Sequence, residues 1–333
     1  MLAEKLFLEA IGRVFDAAHS PNGVKCFARS GSYLVHLHFA SLSLAQALLP
    51  SFVIAPPGNA DLAIAFATAR EVDLAHIIPH PPDESRILEH RDRYALWHRG
   101  ELPVLYLLDR RSNRAVIWLS AGGAPPWLLS RPTLPIMHAF TINTAWVGAH
   151  SGAVGHQGRF LLLAGKGRTG KTTASLACAR AGWDYAGDDF VFTHTVSGRV
   201  EPLYSSARLR VDMAEQFVDL LHASAEVSED DGEVRHELRL GAHLKTGQIK
   251  GGTIAAILLP RRRDAVTPEF APARRLDAFN ALAKVTTTQL PGWPTEVSKK
   301  LTALIGLAPV FFVDTGRDPA AIPNAFTDFL TRV

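Results

Sequence analysis

The ten residues from Ala164 to Thr173, AGKGRTGKTT, constrain this chain more than any other stretch. Gly165-Lys166-Gly167-Arg168-Thr169-Gly170-Lys171-Thr172 satisfies the pattern G-x-x-x-x-G-K-[ST] at every fixed position. The apolar run RFLLL precedes it and SLACARAG follows, with Gly182 as a natural helix stop. Strand, loop and helix therefore come in the order a phosphate cradle needs. A glycine-rich turn without a ligand is the bland alternative, and the complete pattern in this context argues against it.

The chemistry of such a loop is backbone chemistry. A helix N-terminus offers unpaired N–H groups and partial positive charge, and glycines let a polyphosphate approach closely. The sequence predicts an ATP-binding stretch running from Gly165 through Lys166, Gly167, Arg168, Thr169, Gly170, Lys171 and Thr172 to Thr173. Lys171 is expected to reach the β- and γ-phosphate oxygens, and Thr172 to set its hydroxyl on Mg²⁺.

In WDYAGDDFVF, Asp188 and Asp189 close a short strand directly after the loop's helix. Only 17 positions separate Lys171 from Asp188, room for one helix and one strand. Phosphoryl transfer needs a metal on the phosphates and a carboxylate to take or hold the proton of the attacking hydroxyl. Adjacent acids can divide those tasks, with Asp189 and Thr172 as metal ligands, although a solvated Asp turn is the plain alternative. Two crowded carboxylates also raise one another's pKa unless a cation lies between them.

Together, AHSGAVGHQGRFLLLAGKGRTGKTT and GWDYAGDD resemble the core of HPr kinase/phosphorylase and its relatives, which share a P-loop fold with ATP-dependent phosphoenolpyruvate carboxykinase. The resemblance is specific over residues 146 to 192. It rests on a histidine at the start of the strand preceding the loop hairpin, the loop itself and the Asp-Asp pair. His150 lies 15 positions before Gly165, and the resemblance implies that it faces metal and phosphates. It further implies ATP and Mg²⁺ as cofactors and a serine of a peptide or protein as acceptor. The N-terminal portion is similar to the lead domain of HPr-kinase-related proteins, including kinases that tailor ribosomally made peptides such as lasso precursors. The chain departs from true HPr kinases where YSSARLRVD stands in place of their R-G-L-G signature, so regulation of sugar transport is not carried over.

The expected fold is α/β: a P-loop, carboxykinase-like kinase core over residues 136–333, preceded by a smaller mixed α+β domain over residues 1–135 suited to docking the acceptor. A length of 333 residues accommodates two domains, and GGAPPWLLSRPTLP, rich in glycine and proline, reads as their junction. Residues 77–100 hold a proline cluster and dense charge and read as a surface connection. VDMAEQFVDLLHA reads as a helix, TIAAILLP as a buried strand and IPNAFTDFLTRV as a closing helix.

Charge and cysteine usage narrow the partners. A net charge of +3 without a basic tract gives no nucleic-acid signal. Cys26 and Cys178 are the only cysteines, which fits a reducing, cytoplasmic compartment. The first residues carry charges among helix-spaced apolar side chains, unlike a signal peptide, and no apolar run approaches the length that spans a bilayer. Arg208 and Arg210 are candidate phosphate or acceptor contacts, as are Lys245 in a glycine-bearing loop and Arg261 of the Arg261–Arg263 run. A solvated basic turn is the plainer account of each. A guanine-reading N-K-x-D motif is missing after the loop, which sets GTPases aside. A small-molecule kinase and a non-catalytic ATP-binding protein remain as rival readings, and a homo-oligomer stays open.

Overall fold

The computed structural model describes residues 4–74, 85–98, 102–221, 227–230, 233–261, 265 and 267–333. It is a mixed α/β structure of two compact units, Met1–Phe140 and Thr141–Val333. The junction falls a few positions past the one expected at 135 because Pro135 does not end a linker. It lies in the first turn of a helix, Leu134–Thr141, where its missing N–H costs nothing. No helix among the described residues is long and apolar enough to cross a membrane.

The first unit opens with α1 (Glu4–Ala18), whose Phe7, Ala10, Ile11, Val14, Phe15 and Ala18 recur at three- and four-residue spacing and are buried. They cover one face of an eight-stranded sheet, against Ala65, Ala67, Leu105, Leu107, Val116 and Trp118. Its elements are β1 (Val24–Ser30), β2 (Tyr33–Phe39), α2 (Leu42–Leu48), β3 (Val53–Ala55), β4 (Leu62–Thr68), β5 (Arg86–His90), β6 (Arg93–His98), β7 (Val104–Asp109), β8 (Arg114–Leu119) and α3 (Leu134–Thr141). The strand order is β3-β1-β2-β4-β8-β7-β6-β5.

The charged stretch expected as a surface connection is in part a hairpin. Its residues 77–84 and 99–100 lie outside the described residues, but β5 and β6 pair in register around a turn at Arg91, whose φ is 55°. The charge collects on β5, an exposed edge strand, while β6 sends Tyr94, Leu96 and Trp97 inward.

The second unit holds β9 (Trp146–His156), β10 (Arg159–Ala164), α4 (Lys171–Arg180), β11 (Asp184–Gly187), β12 (Phe190–His194), β13 (Arg199–Pro202), β14 (Ser206–Arg210), α5 (Val218–Leu221), β15 (Val227–Asp230), β16 (Glu233–Arg239), β17 (Gly252–Arg261), β18 (Glu269–Pro272), α6 (Arg275–Gln289), α7 (Pro294–Gly306), β19 (Val310–Asp314) and α8 (Ile322–Leu330). β9 and β10 form a hairpin whose two turn residues, Gln157 and Gly158, both have positive φ, the twist that a two-residue hairpin requires. The pairings β9–β12, β12–β13, β13–β17, β17–β10 and β10–β9 close into a ring. β10, β17 and β19 run parallel, so Ala164, Arg261 and Asp314 finish their strands at one edge.

Helices cover both faces of this sheet. α4 and α8 bury Leu176, Cys178, Phe326 and Phe329 on one side, and α6 and α7 bury Leu282, Ala283, Leu301 and Leu304 on the other. The helix expected over VDMAEQFVDLLHA is mostly a 3-10 turn, Val211–Phe217, continued by the single turn of α5. Phe217 and Leu220, three apart, are its buried residues, a spacing that tighter winding keeps on one side. The last two residues of that stretch, 222 and 223, lie outside the described ones.

Candidate functional site

The loop after β10 owes its shape to its glycines. Gly170 caps α4 with φ 106°, a left-handed conformation that a side chain resists. At Gly165 an added Cβ would come within 2.7 Å of the Thr169 hydroxyl oxygen, which itself donates to the Lys166 carbonyl at 3.0 Å. Arg168 holds φ 67°, an uncommon value for a residue with a side chain. The Lys171 ammonium curls back over the loop and donates to the carbonyls of Gly165 at 2.6 Å and Lys166 at 3.1 Å. Burial lowers its pKa, while the charges of Asp189 and Asp188 push the other way.

Asp188 and Asp189 occupy the turn between β11 and β12, as the sequence predicts. Asp188 is 3% exposed and is surrounded by donors. The Tyr185 hydroxyl lies 3.1 Å from one carboxylate oxygen and the Arg208 backbone N–H 3.3 Å from the other, and the Thr172 side chain favours the charged form as well. Burial, seconded by the Asp189 charge, nevertheless pushes its pKa up to about 7, and the three hydrogen bonds only partly oppose the shift. The register of β9 brings the phosphate loop and the acid turn together, since β10 ends at Ala164 opposite Ser151 and β11 ends at Gly187 opposite Ala153.

Asp189 is more open, and its Oδ1 lies 3.1 Å from His150 Nε2. His150 is not at the start of its strand but in the middle of β9, opposite Phe190 of β12 on one edge and one residue beyond the last pair with β10 on the other. Its backbone N–H donates to Thr286 Oγ1 at 3.0 Å, and its ring meets Phe190 edge-on at 5.2 Å. Its Nδ1 is buried without a protein partner among the described residues. Gly152 permits this convergence, because a Cβ there would lie 2.5 Å from Ser175 Oγ and 3.5 Å from the Asp188 Cα.

The outlying candidates fare differently. Arg208 does not present its guanidinium to a ligand; it forms a buried ion pair with Glu237 at 3.1 Å, across the β14–β16 pair, and only its backbone reaches the acids. Arg210 grips Asp212 through both carboxylate oxygens at 2.9 and 2.8 Å, a local surface pair. Lys245 is removed from the site. Its loop is tied through Gln248 to the carbonyls of Ala179 and Trp183, at the end of α4 opposite the phosphate loop. Arg261 does share the loop's edge of the sheet, but it pairs with Asp314 at 3.1 and 3.0 Å and stacks on Phe312. Arg262 and Arg263 lie outside the described residues.

Other residues at the site escaped the sequence reading. Asp314 ends the apolar run VFFV, and that strand-then-acid pattern was a usable signal. Thr315 follows, its hydroxyl 3.5 Å from where a Cβ on Gly170 would stand. Arg235 on β16 acts on the Lys171 charge, and Tyr185, Glu237 and Thr286 support the acids and His150. Nothing local in the sequence marks these last four.

No family model matches the chain, and a search of curated proteins finds no relative. The site must be read from its own chemistry. Among the described residues no three His, Cys, Asp or Glu side chains form a metal cage. The oxygen donors present, a threonine hydroxyl beside one or two carboxylates, suit Mg²⁺, which takes few protein ligands and fills its shell with phosphate and water. Asp188 fits that role chemically, since a buried carboxylate with a raised pKa is one that a cation would stabilise in its charged form.

Proposed function

We propose that this protein is an ATP- and Mg²⁺-dependent kinase of the HPr-kinase-like type, transferring the γ-phosphoryl group to a hydroxyl, most simply a serine of a peptide or protein. The observation that carries the reading is the register of β9, whose Ser151 and Ala153 face the last residues of β10 and β11, so that a phosphate-cradling loop and a carboxylate pair leave the sheet on either side of β9, next to His150. A loop that only binds nucleotide needs no second carboxylate held beside it on a histidine.

In this mechanism the loop N–H groups and the first turn of α4 hold the phosphates. Lys171 leaves the carbonyls of Gly165 and Lys166 for the phosphate oxygens, exchanging neutral acceptors for charged ones. Asp188 and Thr172 would hold Mg²⁺, which neutralises phosphate charge when bound. Asp189, the more exposed acid, takes the proton of the serine hydroxyl. The serine oxygen then bonds to the γ-phosphorus as the bridging bond to ADP breaks, with the electron pair leaving on ADP. His150 orients the Asp189 carboxylate through Nε2. Acceptor docking falls to the first unit in this proposal.

The test is phosphate transfer from labelled ATP to serine peptides, read by mass. Lys171→Ala and Asp189→Asn should each lower turnover by at least about 10²-fold, the scale of a lost electrostatic or acid–base group. Unchanged turnover in Lys171→Ala would remove the loop from the mechanism. Tight ATP binding without transfer to any acceptor would favour a regulatory role.

A further inference from the structure

We propose that Thr286, which belongs to no motif, is a positioning residue for the His150–Asp189 pair, an inference that rests on the kinase reading. β10 leaves β9 after the pair of Ala164 with Ser151, because the chain there departs into the phosphate loop. β12 ends its own pairing with β9 at Phe190 and His150. β10 and β12 flank opposite edges of β9, so His150 is the first residue of β9 that β10 no longer reaches on its edge. A buried N–H needs an acceptor. Thr286 Oγ1 supplies it at 3.0 Å from 136 positions along the chain.

Thr286 is fully buried in the last turns of α6. The helix is fixed against the sheet by Ala278, Leu282 and Ala283, and Leu290 just beyond it lies 3.8 Å from where a Cβ on Gly148 would stand. The bond thus sets the His150 backbone from a rigid element. From there Phe190 and Asp189 Oδ1 fix the ring. Valine would fill the same space but leave the N–H without a partner, so β9 would shift to find one.

The experiment compares Thr286→Val with Thr286→Ser, using two readouts. The first is the ¹⁵N and ¹H signals of the His150 ring in the nucleotide-free protein, assigned against His150→Gln. The second is kcat and KM for ATP in phosphate transfer. Thr286→Val should move the ring signals and lower kcat about tenfold while KM for ATP stays within twofold, because displacement of a reacting pair costs rate more than binding. Thr286→Ser should restore both within about twofold. Ring signals unmoved in Thr286→Val, or a serine variant as impaired as the valine one, would overturn the proposal. If the wild-type protein transfers no phosphate, the kinase reading falls and the ring signals alone decide the positioning role.

Discussion

Replacing Asp188 by asparagine should reverse its effect on stability as pH changes. An ordinary Asp ionises near 3.8, but folding raises the Asp188 pKa to about 7. The native state therefore holds this proton when the unfolded chain has lost it, and stability drains away as pH rises from about 4 to about 7. At about 1.4 kcal/mol per unit, the raised pKa lowers the stability of the nucleotide-free protein by about 4 kcal/mol at pH 8, and by only about 1 at pH 4.5. Asparagine never pays that cost. Its amide, however, offers one oxygen where the carboxylate offers two to Tyr185, Thr172 and the Arg208 N–H, a loss of about 2 kcal/mol at any pH. The variant should thus be about 2 kcal/mol more stable than wild type at pH 8 and about 1 kcal/mol less stable at pH 4.5. That corresponds to a Tm about 6 °C higher and about 3 °C lower respectively. Calorimetry without nucleotide and with chelator, stepped between these pH values, measures it directly, and phosphate transfer in the same variant should be lost. A Tm difference of constant sign and size across the range would refute the reasoning.

Three further outcomes follow from the packing and the charges. Gly152→Ala should destabilise the second unit by about 2 kcal/mol, since its Cβ would meet Ser175 Oγ at 2.5 Å, and adding Ser175→Ala should recover most of the loss in denaturant melts because the remaining neighbours lie at 3.5 Å. Glu237→Gln should cost about 3 kcal/mol by leaving the buried Arg208 charge uncompensated, whereas Arg208→Met with Glu237→Leu should be close to wild type in stability. In the first unit, His38 packs against His36 and His19 at ring distances of 3.9 and 5.0 Å. Burial and then the charges of His36, His19, Lys25 and Arg114 lower its pKa to about 3. Its contribution is present above the ordinary value of 6.5 and is lost as pH falls below it, so wild-type stability should drop by about 2 kcal/mol at pH 5, and His38→Gln should drop measurably less.

What the sequence could say about this molecule was set by how local the responsible forces are. The loop, its strand and its helix were legible because glycine at Gly165 and Gly170 answers steric needs within a few residues, and the Asp188–Asp189 turn was legible because only one helix and one strand separate it from the loop. The hairpin of β5 and β6 was obscured by composition, since charge on an exposed edge strand resembles charge on a loop until the partner strand is known. Arg208 shows the same limit at the site. In sequence it is an arginine near a phosphate loop; only the β14–β16 register reveals Glu237 opposite, which converts a candidate phosphate ligand into a structural ion pair. Lys245 was misplaced because the distance from a loop to a site is fixed by which end of α4 the loop is tied to, and that is set by contacts such as those of Gln248, far along the chain from α4. The division of labour between the acids belongs to this class as well. Adjacent aspartates are equivalent in sequence, and they separate only when folding buries Asp188 among Tyr185, Thr172 and Arg208 while leaving Asp189 on His150 at the open side. The same burial that raises the Asp188 pKa makes the empty protein less stable near neutral pH, and a bound cation would remove that penalty. On the proposed function that penalty would become affinity for the metal–nucleotide complex, and the pH-dependent part of the stability difference in Asp188→Asn would measure it.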